Sequence, residues 1–295
     1  MNQHVVSKTR ACVVALLGAL AIAALCVPAS AQTQPWEQWE NKETAFGGGV
    51  DTIVSNGGQT VRVIDGRPTI RPLPAQSDFS TALEYETWSG EGRRSVDGHR
   101  TTLLLGYTRG LSPTNEFALT VPLQQVKVSG YVDETGIGDV ELAMRHFFYN
   151  PQAENGPTVV LSGKVFLPTG DADKAIGLGE FSYGASLNGT LPVGAAGLTS
   201  AYAGVGYTVV GEPSGVDLKN VLYYWAGGIT QMAPRWNLQY EALRFNSPAN
   251  EKYTRALLGV RYGLTPSAGL QFNVKREFQA DGNPTTISIG YSSRL

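Results

Sequence analysis

The chain ends in TTISIGYSSRL, residues 285–295. Ile287, Ile289, Tyr291, Ser293 and Leu295 fall on one parity, and Ser288, Gly290, Ser292 and Arg294 on the other. A period of two is that of a β-strand, whose successive side chains point to opposite faces. The final residues of most soluble domains fray unless something ties them down. A strand that is apolar on one face and runs to the last residue therefore reads as a closing element, paired along its length and turned toward an apolar medium.

The other end of the chain is consistent with export. Residues 1–10 carry Lys8 and Arg10 and no acid, and an apolar run then leads to Ala29-Ser30-Ala31 before Gln32. A basic start, an apolar run and a small-residue exit make a secretory signal peptide, residues 1–31, cleaved at Ala31-Gln32. The run is short for a membrane span, which needs about 20 apolar residues. Both cysteines, Cys12 and Cys26, lie in the signal, so no disulfide framework or thiolate metal site is expected in the exported chain. The formal net charge of −2 is not that of a nucleic-acid binder, and none is expected as a partner.

Glycine makes up 35 of the 295 residues, and charged residues only 16%. The usual charged share of a globular domain is about 25%. After the signal no apolar run is long enough for a spanning helix. Period-2 segments recur instead, at about 78–88, 100–109, 115–127, 138–149, 157–168, 180–191, 198–210, 220–231, 235–245, 253–263, 268–278 and 285–295. Most are longer than the 5–6 residues usual in globular sheets and match the roughly 9–11 residues of a tilted bilayer-crossing strand. Short connections such as LSPTNE and QMAP alternate with longer polar ones such as SGEGRRSVDG and PTGDADKAIGLG. That alternation is the pattern of outer-membrane barrels, with short periplasmic turns and longer external loops.

The two faces differ as a bilayer requires. Val159, Leu161, Val165 and Leu167 oppose Lys164, and Leu270, Phe272 and Val274 oppose Lys275. The same separation holds for Glu84, Glu86, Glu141, Arg145, Glu241, Arg255 and Arg261. A Lys or Arg on the lipid face at mid-depth costs about 2–4 kcal/mol. These nine residues are therefore the candidates to line a lumen, while Trp225, Trp236, Tyr240, Tyr262 and Tyr291 are expected to face lipid. The fold expected is all-β: a closed antiparallel transmembrane β-barrel of about twelve strands over residues 78–295. Residues 32–77 fall outside the rhythm and read as an N-terminal periplasmic extension, with a small hairpin about Asp65-Gly66.

No catalytic constellation emerges. Beyond the signal the histidines are His99 and His146, on different segments, and no His/Asp/Glu set has metal-ligand spacing. Phosphate-binding and nucleophile-elbow motifs are absent from the sequence. No enzyme, metal or cofactor is expected. The short motifs lie elsewhere, in TGIGDVELAMRHFFYN (135–150), VVLSGKVFLPTGD (159–171), GEFSYGASLNGTLPVG (179–194) and YGLTPSAGLQF (262–272). Gly136, Gly138 and Asp139 open one strand, and Leu167-Pro168-Thr169-Gly170-Asp171 ends another. Pro168 is expected to stop the ladder, Gly170 to supply a positive φ, and Asp171 to bond back to nearby N–H groups.

These stretches resemble a family of outer-membrane proteins associated with the meta-pathway of phenol degradation. The resemblance covers most of 78–295 and not 32–75. It implies a barrel transporter for small hydrophobic or aromatic molecules in the outer membrane of a Gram-negative bacterium. Its partners would be outer-membrane lipid, the barrel-insertion machinery and a small-molecule solute. A second reading of the same charges is a structural or adhesive barrel whose lumen they plug, since twelve strands enclose a narrow bore. N-terminal sequencing of the protein purified from outer membranes should begin at Gln32.

Overall fold

The computed structural model describes residues 51–54, 60–64, 77–88, 97–130, 132–149, 157–193, 199–212, 218–233, 235–246, 252–265, 268–278 and 284–294. The expected signal, most of the expected extension and Leu295 lie outside the described residues. Within the extension, β1 (Asp51–Val54) and β2 (Thr60–Ile64) pair antiparallel as a sheet of their own. The sequence reading places a hairpin about Asp65-Gly66, but Thr60–Ile64 pairs with the upstream strand Asp51–Val54. The sequence between these two strands, SNGGQ, contains Asn-Gly, a short-range hairpin signal as strong as Asp-Gly.

All other strands belong to one sheet. They are β3 (Ser77–Trp88), β4 (Gly98–Ser112), β5 (Asn115–Val128), β6 (Val132–Ile137), β7 (Val140–Tyr149), β8 (Thr158–Leu167) and β9 (Ser182–Val193). There follow β10 (Thr199–Val209), β11 (Val221–Ala233), β12 (Trp236–Asn246), β13 (Lys252–Thr265), β14 (Ala268–Phe278) and β15 (Thr285–Arg294). β15 pairs antiparallel with β3 from Thr285↔Thr87 to Arg294↔Asp78, which closes the sheet on itself. β6 and β7 run successively along β5 and form one stave broken at Gly138-Asp139, so the closed barrel has twelve staves. Closure gives both edge strands a partner.

The fourth stave begins earlier than expected. Residues 128–137 read as loop in the sequence, but Val132–Ile137 pairs with Leu123–Val128 as β6. Gly130, at φ 82°, allows the reversal, and an exposed Lys127–Asp133 ion pair of 2.9 Å spans the hairpin. At the opposite end of the barrel, the short turns of β4–β5, β11–β12 and β13–β14 each follow a one-residue slip in the ladder, at Gly110/Ser112, Gln231/Ala233 and Gly263/Thr265.

Each strand of the sheet places its exposed apolar side chains on one parity, among them Tyr85, Met144, Leu161, Leu187, Tyr224, Leu258, Phe272 and Ile289. The opposite parity is buried and largely polar. Trp236 and Tyr240 are exposed, and the Tyr262 ring lies 4.6 Å from that of Trp236. Tyr291 keeps the outward parity of Ile287 and Ile289 but is covered. Trp225 corrects the sequence reading: it is 3% exposed and turned inward. It pairs with Gly204, which leaves bare wall for the indole ring to cover, and its Nε1 donates to Asn188 Oδ1 at 3.2 Å.

Leu161 sits midway along β8, 46% exposed, between His146 and Leu187. Leu161→Arg should lower stability in lipid vesicles by about 2–4 kcal/mol. Leu161→Met should leave the urea unfolding midpoint nearly unchanged.

Candidate functional site

The inward parity gathers the charges. Glu84, Glu86, Glu141, Arg145, Lys164, Glu241, Arg255, Arg261 and Lys275 are each between 3% and 9% exposed. All nine lie on the face opposite the exposed apolar residues. Side chains this deeply withdrawn from water are tolerated only when paired and hydrogen-bonded. Lys275 Nζ donates to Glu84 Oε1 at 2.9 Å, joining β14 to β3 across the closing strand. Arg100 Nη1 donates to Glu86 Oε2 at 3.2 Å, and Arg145 to Glu116. Lys164 Nζ stands 5.8 Å from the centre of the Phe166 ring.

A second set of hydrogen bonds follows the wall from β10 to β15. Tyr202 donates its hydroxyl proton to Glu241 at 3.0 Å and accepts from Gln239 Nε2 at 3.2 Å. Arg261 donates to Gln239 Oε1 at 2.8 Å, and Gln271 donates to Asn273 Oδ1 at 2.7 Å. Asn273 donates to Ser288 Oγ at 3.1 Å. Each of these residues occupies the inward parity of its strand, so the alternation that keeps charge out of lipid also lets neighbouring staves share protons.

Arg100 and Glu116 were not among the residues singled out from the sequence, and Asp139 was read there only as part of a strand-opening motif. Arg100 and Glu116 sit near strand ends, yet each shares the parity of buried neighbours, Thr102 and Leu104 for Arg100, Ala118 and Thr120 for Glu116. Extending the parity test to the strand ends identifies both.

The end of the barrel that carries the longer connections has an aromatic side. Tyr223, Trp225, Phe245 and Tyr253, all inward, form one buried cluster with Leu178, Val210, Val221 and Leu243. The Tyr223 and Trp225 rings stack with centroids 5.6 Å apart. The charged side of the bore adjoins it: Glu84, Glu86, Arg100, Arg255 and Lys275 line a small polar cavity, and Arg255 pairs across the ladder with Leu243 of the aromatic cluster. The interior is thus amphipathic around its circumference.

The two glycine-containing motifs meet at the strand break. Asp139 Oδ1 accepts from the Gly170 N–H at 3.0 Å and the Gly179 N–H at 3.3 Å, and Oδ2 accepts from the Leu178 N–H at 2.6 Å. Thr169 Oγ1 donates to the Gly138 carbonyl at 2.7 Å and accepts from the Val140 N–H at 2.9 Å. Asp171 Oδ1 accepts from the Asp173 N–H at 3.1 Å, as its turn role requires. Gly170 serves a purpose other than the expected positive φ. A Cβ there would lie 2.7 Å from Asp139 Oδ1, so it is the space that must stay empty. The left-handed backbone falls instead on Ala175, Gly177 and Gly179, at φ 56°, 78° and 66°. Among the described residues no three His, Cys, Asp or Glu side chains gather as a metal site.

Residues 76–295 match the model of a family described as "Putative MetA-pathway of phenol degradation". No curated protein matches the chain by sequence. Among solved structures, an outer membrane channel from Pseudomonas putida F1 superposes with TM-score 0.61 at 13% identity, over 76% of this chain and 97% of that one. The KdgM porin in complex with oligogalacturonate gives 0.48 at 10% identity, over 72% and 98%. The CymD monoaromatic hydrocarbon channel gives 0.45 at 10% identity, over 76% and 89%. The first likeness is one of fold: a closed barrel of the same architecture.

Breaking the Glu84–Lys275 pair from one side leaves a buried charge with a lost partner. Lys275→Met should cost about 3 kcal/mol in reversible urea unfolding. Adding Glu84→Gln should restore most of that loss.

Proposed function

The chain belongs to the phenol-degradation family whose model spans its residues 76–295, and from that membership we propose that it is an outer-membrane channel passing small, largely uncharged hydrophobic or aromatic molecules without chemistry. Residues 1–31 serve as the export signal and 32–77 as a periplasmic extension. The barrel is inserted by the barrel-insertion machinery, which reads the final strand, and sits in outer-membrane lipid. Glu84, Glu86, Glu141, Arg145, Lys164, Glu241, Arg255, Arg261 and Lys275 line the route.

The observation that carries this reading is the amphipathic bore. The Tyr223–Trp225 stack with Phe245 and Tyr253 makes one side of the bore aromatic, covered by neighbours that include Leu178, and the charged side beside it carries hydrogen-bonding groups. A planar solute with one polar edge would find both. Offset or edge-on contact between aromatic rings contributes about 0.5–1.5 kcal/mol per pair beyond area burial, enough to favour a ring over an aliphatic of like size while still letting it leave. The second reading, a structural barrel with a plugged lumen, draws on the same burial, because the charges occupy interior space.

Vesicles containing the wild type should admit an uncharged aromatic solute faster than protein-free vesicles. Tyr223→Ala with Trp225→Ala should narrow the preference for aromatic over aliphatic solutes of equal size. Lys164→Met should change ion selectivity in planar bilayers with assembly nearly intact. Absence of flux and of conductance in the wild type, across applied voltage and added solute, would favour the plugged barrel.

A further inference from the structure

The connection from β8 to β9 does not stay outside the barrel rim. Ala175, Ile176 and Leu178 are 2%, 1% and 3% exposed, as deeply buried as the wall. Ala175 and Ile176 cluster with Val126, and Trp88 and Val128 pack against them. These are inward residues of β3 and β5. Leu178, two residues on, joins the cluster of Tyr223, Trp225, Leu243 and Phe245, inward residues of β11 and β12. In the strand order of the ring, β3–β5 and β11–β12 lie on opposite sides. The segment therefore reaches across the bore from one cluster to the other, with Ala175 and Ile176 in the first and Leu178 in the second.

The segment closes on itself through the Asp171↔Ile176 bridge and the Ala175 N–H to Ala172 carbonyl bond of 3.0 Å. Hydrogen bonds through Asp139 and Thr169 tie it to the barrel beside β7. Asp139 is 6% exposed, and its carboxylate sits in a seat of backbone N–H groups that only glycine permits. A Cβ at Gly177 would lie 2.8 Å from Asp139 Oδ2. Charge-assisted bonds of this kind are roughly twice as strong as neutral ones. The break between β6 and β7 is what frees Asp139 from the ladder to supply them.

We propose that Asp139 is a positioning residue that holds residues 170–178 as a strut across the bore, and that solute passes when this strut swings aside. The proposal rests on the reading of the chain as a channel. The Asp139 carboxylate sets the held state. Ile176 and Leu178 set the size of what passes when the strut moves, because they are the side chains that fill the crossing.

Two variants test it in the full chain, assayed as assembled barrels in planar bilayers and vesicles. Asp139→Ala removes the acceptor of three N–H groups, and losing even one charge-assisted bond shifts a two-state balance by about tenfold. Its open probability and solute flux should rise by at least that factor over wild type. The pair Gly136→Cys/Ile176→Cys tethers the strut to β6, since a Cβ at Gly136 would stand 3.6 Å from Ile176 Cγ2. Its oxidised form should lose flux and its reduced form regain it, at equal barrel content by heat-modifiable migration. Equal flux from the oxidised and reduced pair, with a conducting wild type, would overturn the strut and leave the channel reading standing. Silence from both the wild type and Asp139→Ala would overturn both.

Discussion

A backbone that crosses hydrocarbon has no water to satisfy its N–H and C=O groups, so each must find a partner within the protein. For a chain of strands the solution is a ladder without ends, and here the pairing of β15 with β3 supplies it. The features described above follow from that closure. It gives the chain an inside and an outside, and it turns the two-residue period of each strand into a division between lumen and lipid. It also explains why the C-terminal strand keeps its alternation through its last turns: it is a wall element held on both sides, by β14 and by β3.

Inside a ring of twelve staves there is little room, and the side chains of facing walls come near one another. Charge excluded from the lipid face is thereby concentrated in a confined volume, where an unpaired ion would cost several kcal/mol. The structure meets this with cross-strand pairs, Glu84–Lys275, Glu86–Arg100 and Glu116–Arg145, and with a chain of amide and hydroxyl bonds around the wall. The aromatic side balances them. Gly204 and Gly206 on β10 carry no side chains, and the Trp225 and Tyr223 rings lie over them along the wall. Glycine on a strand thus makes space for the aromatic surface of its neighbour.

The break in the fourth stave shows the same economy. A ladder interrupted at Gly138-Asp139 loses regular bonds, yet it releases a carboxylate that organises a fourteen-residue connection, 168–181, from the next hairpin. The short motifs G-I-G-D and L-P-T-G-D are the two halves of one joint. Their glycines are needed for different reasons: room at Gly170, and left-handed backbone at Gly177 and Gly179.

Strand spacing, the twelve-stave ring and the facing of Glu84, Lys164, Arg255 and Lys275 were legible in the sequence because alternation is local. The lipid constraint acts residue by residue, at a cost large enough to sort the charges at mid-strand, with Arg244 and Arg276 as exceptions near strand ends. The extra strand β6 escaped that reading because its residues, Asp133 to Gly136, are polar or small on both faces and lie past the belt where the alternation is enforced. Trp225 escaped it because an aromatic suits lipid and lumen alike; only the glycine opposite it and the reach to Asn188 turn it inward. The partnership of Glu84 with Lys275, 191 residues apart, and the seat that Asp139 finds in the 170–179 backbone depend on which staves the closed ring places side by side. The sequence alone determined the barrel and its two faces; which side chains meet inside it was decided by closure, since contact across a bore depends on register and shear summed over all the strands between.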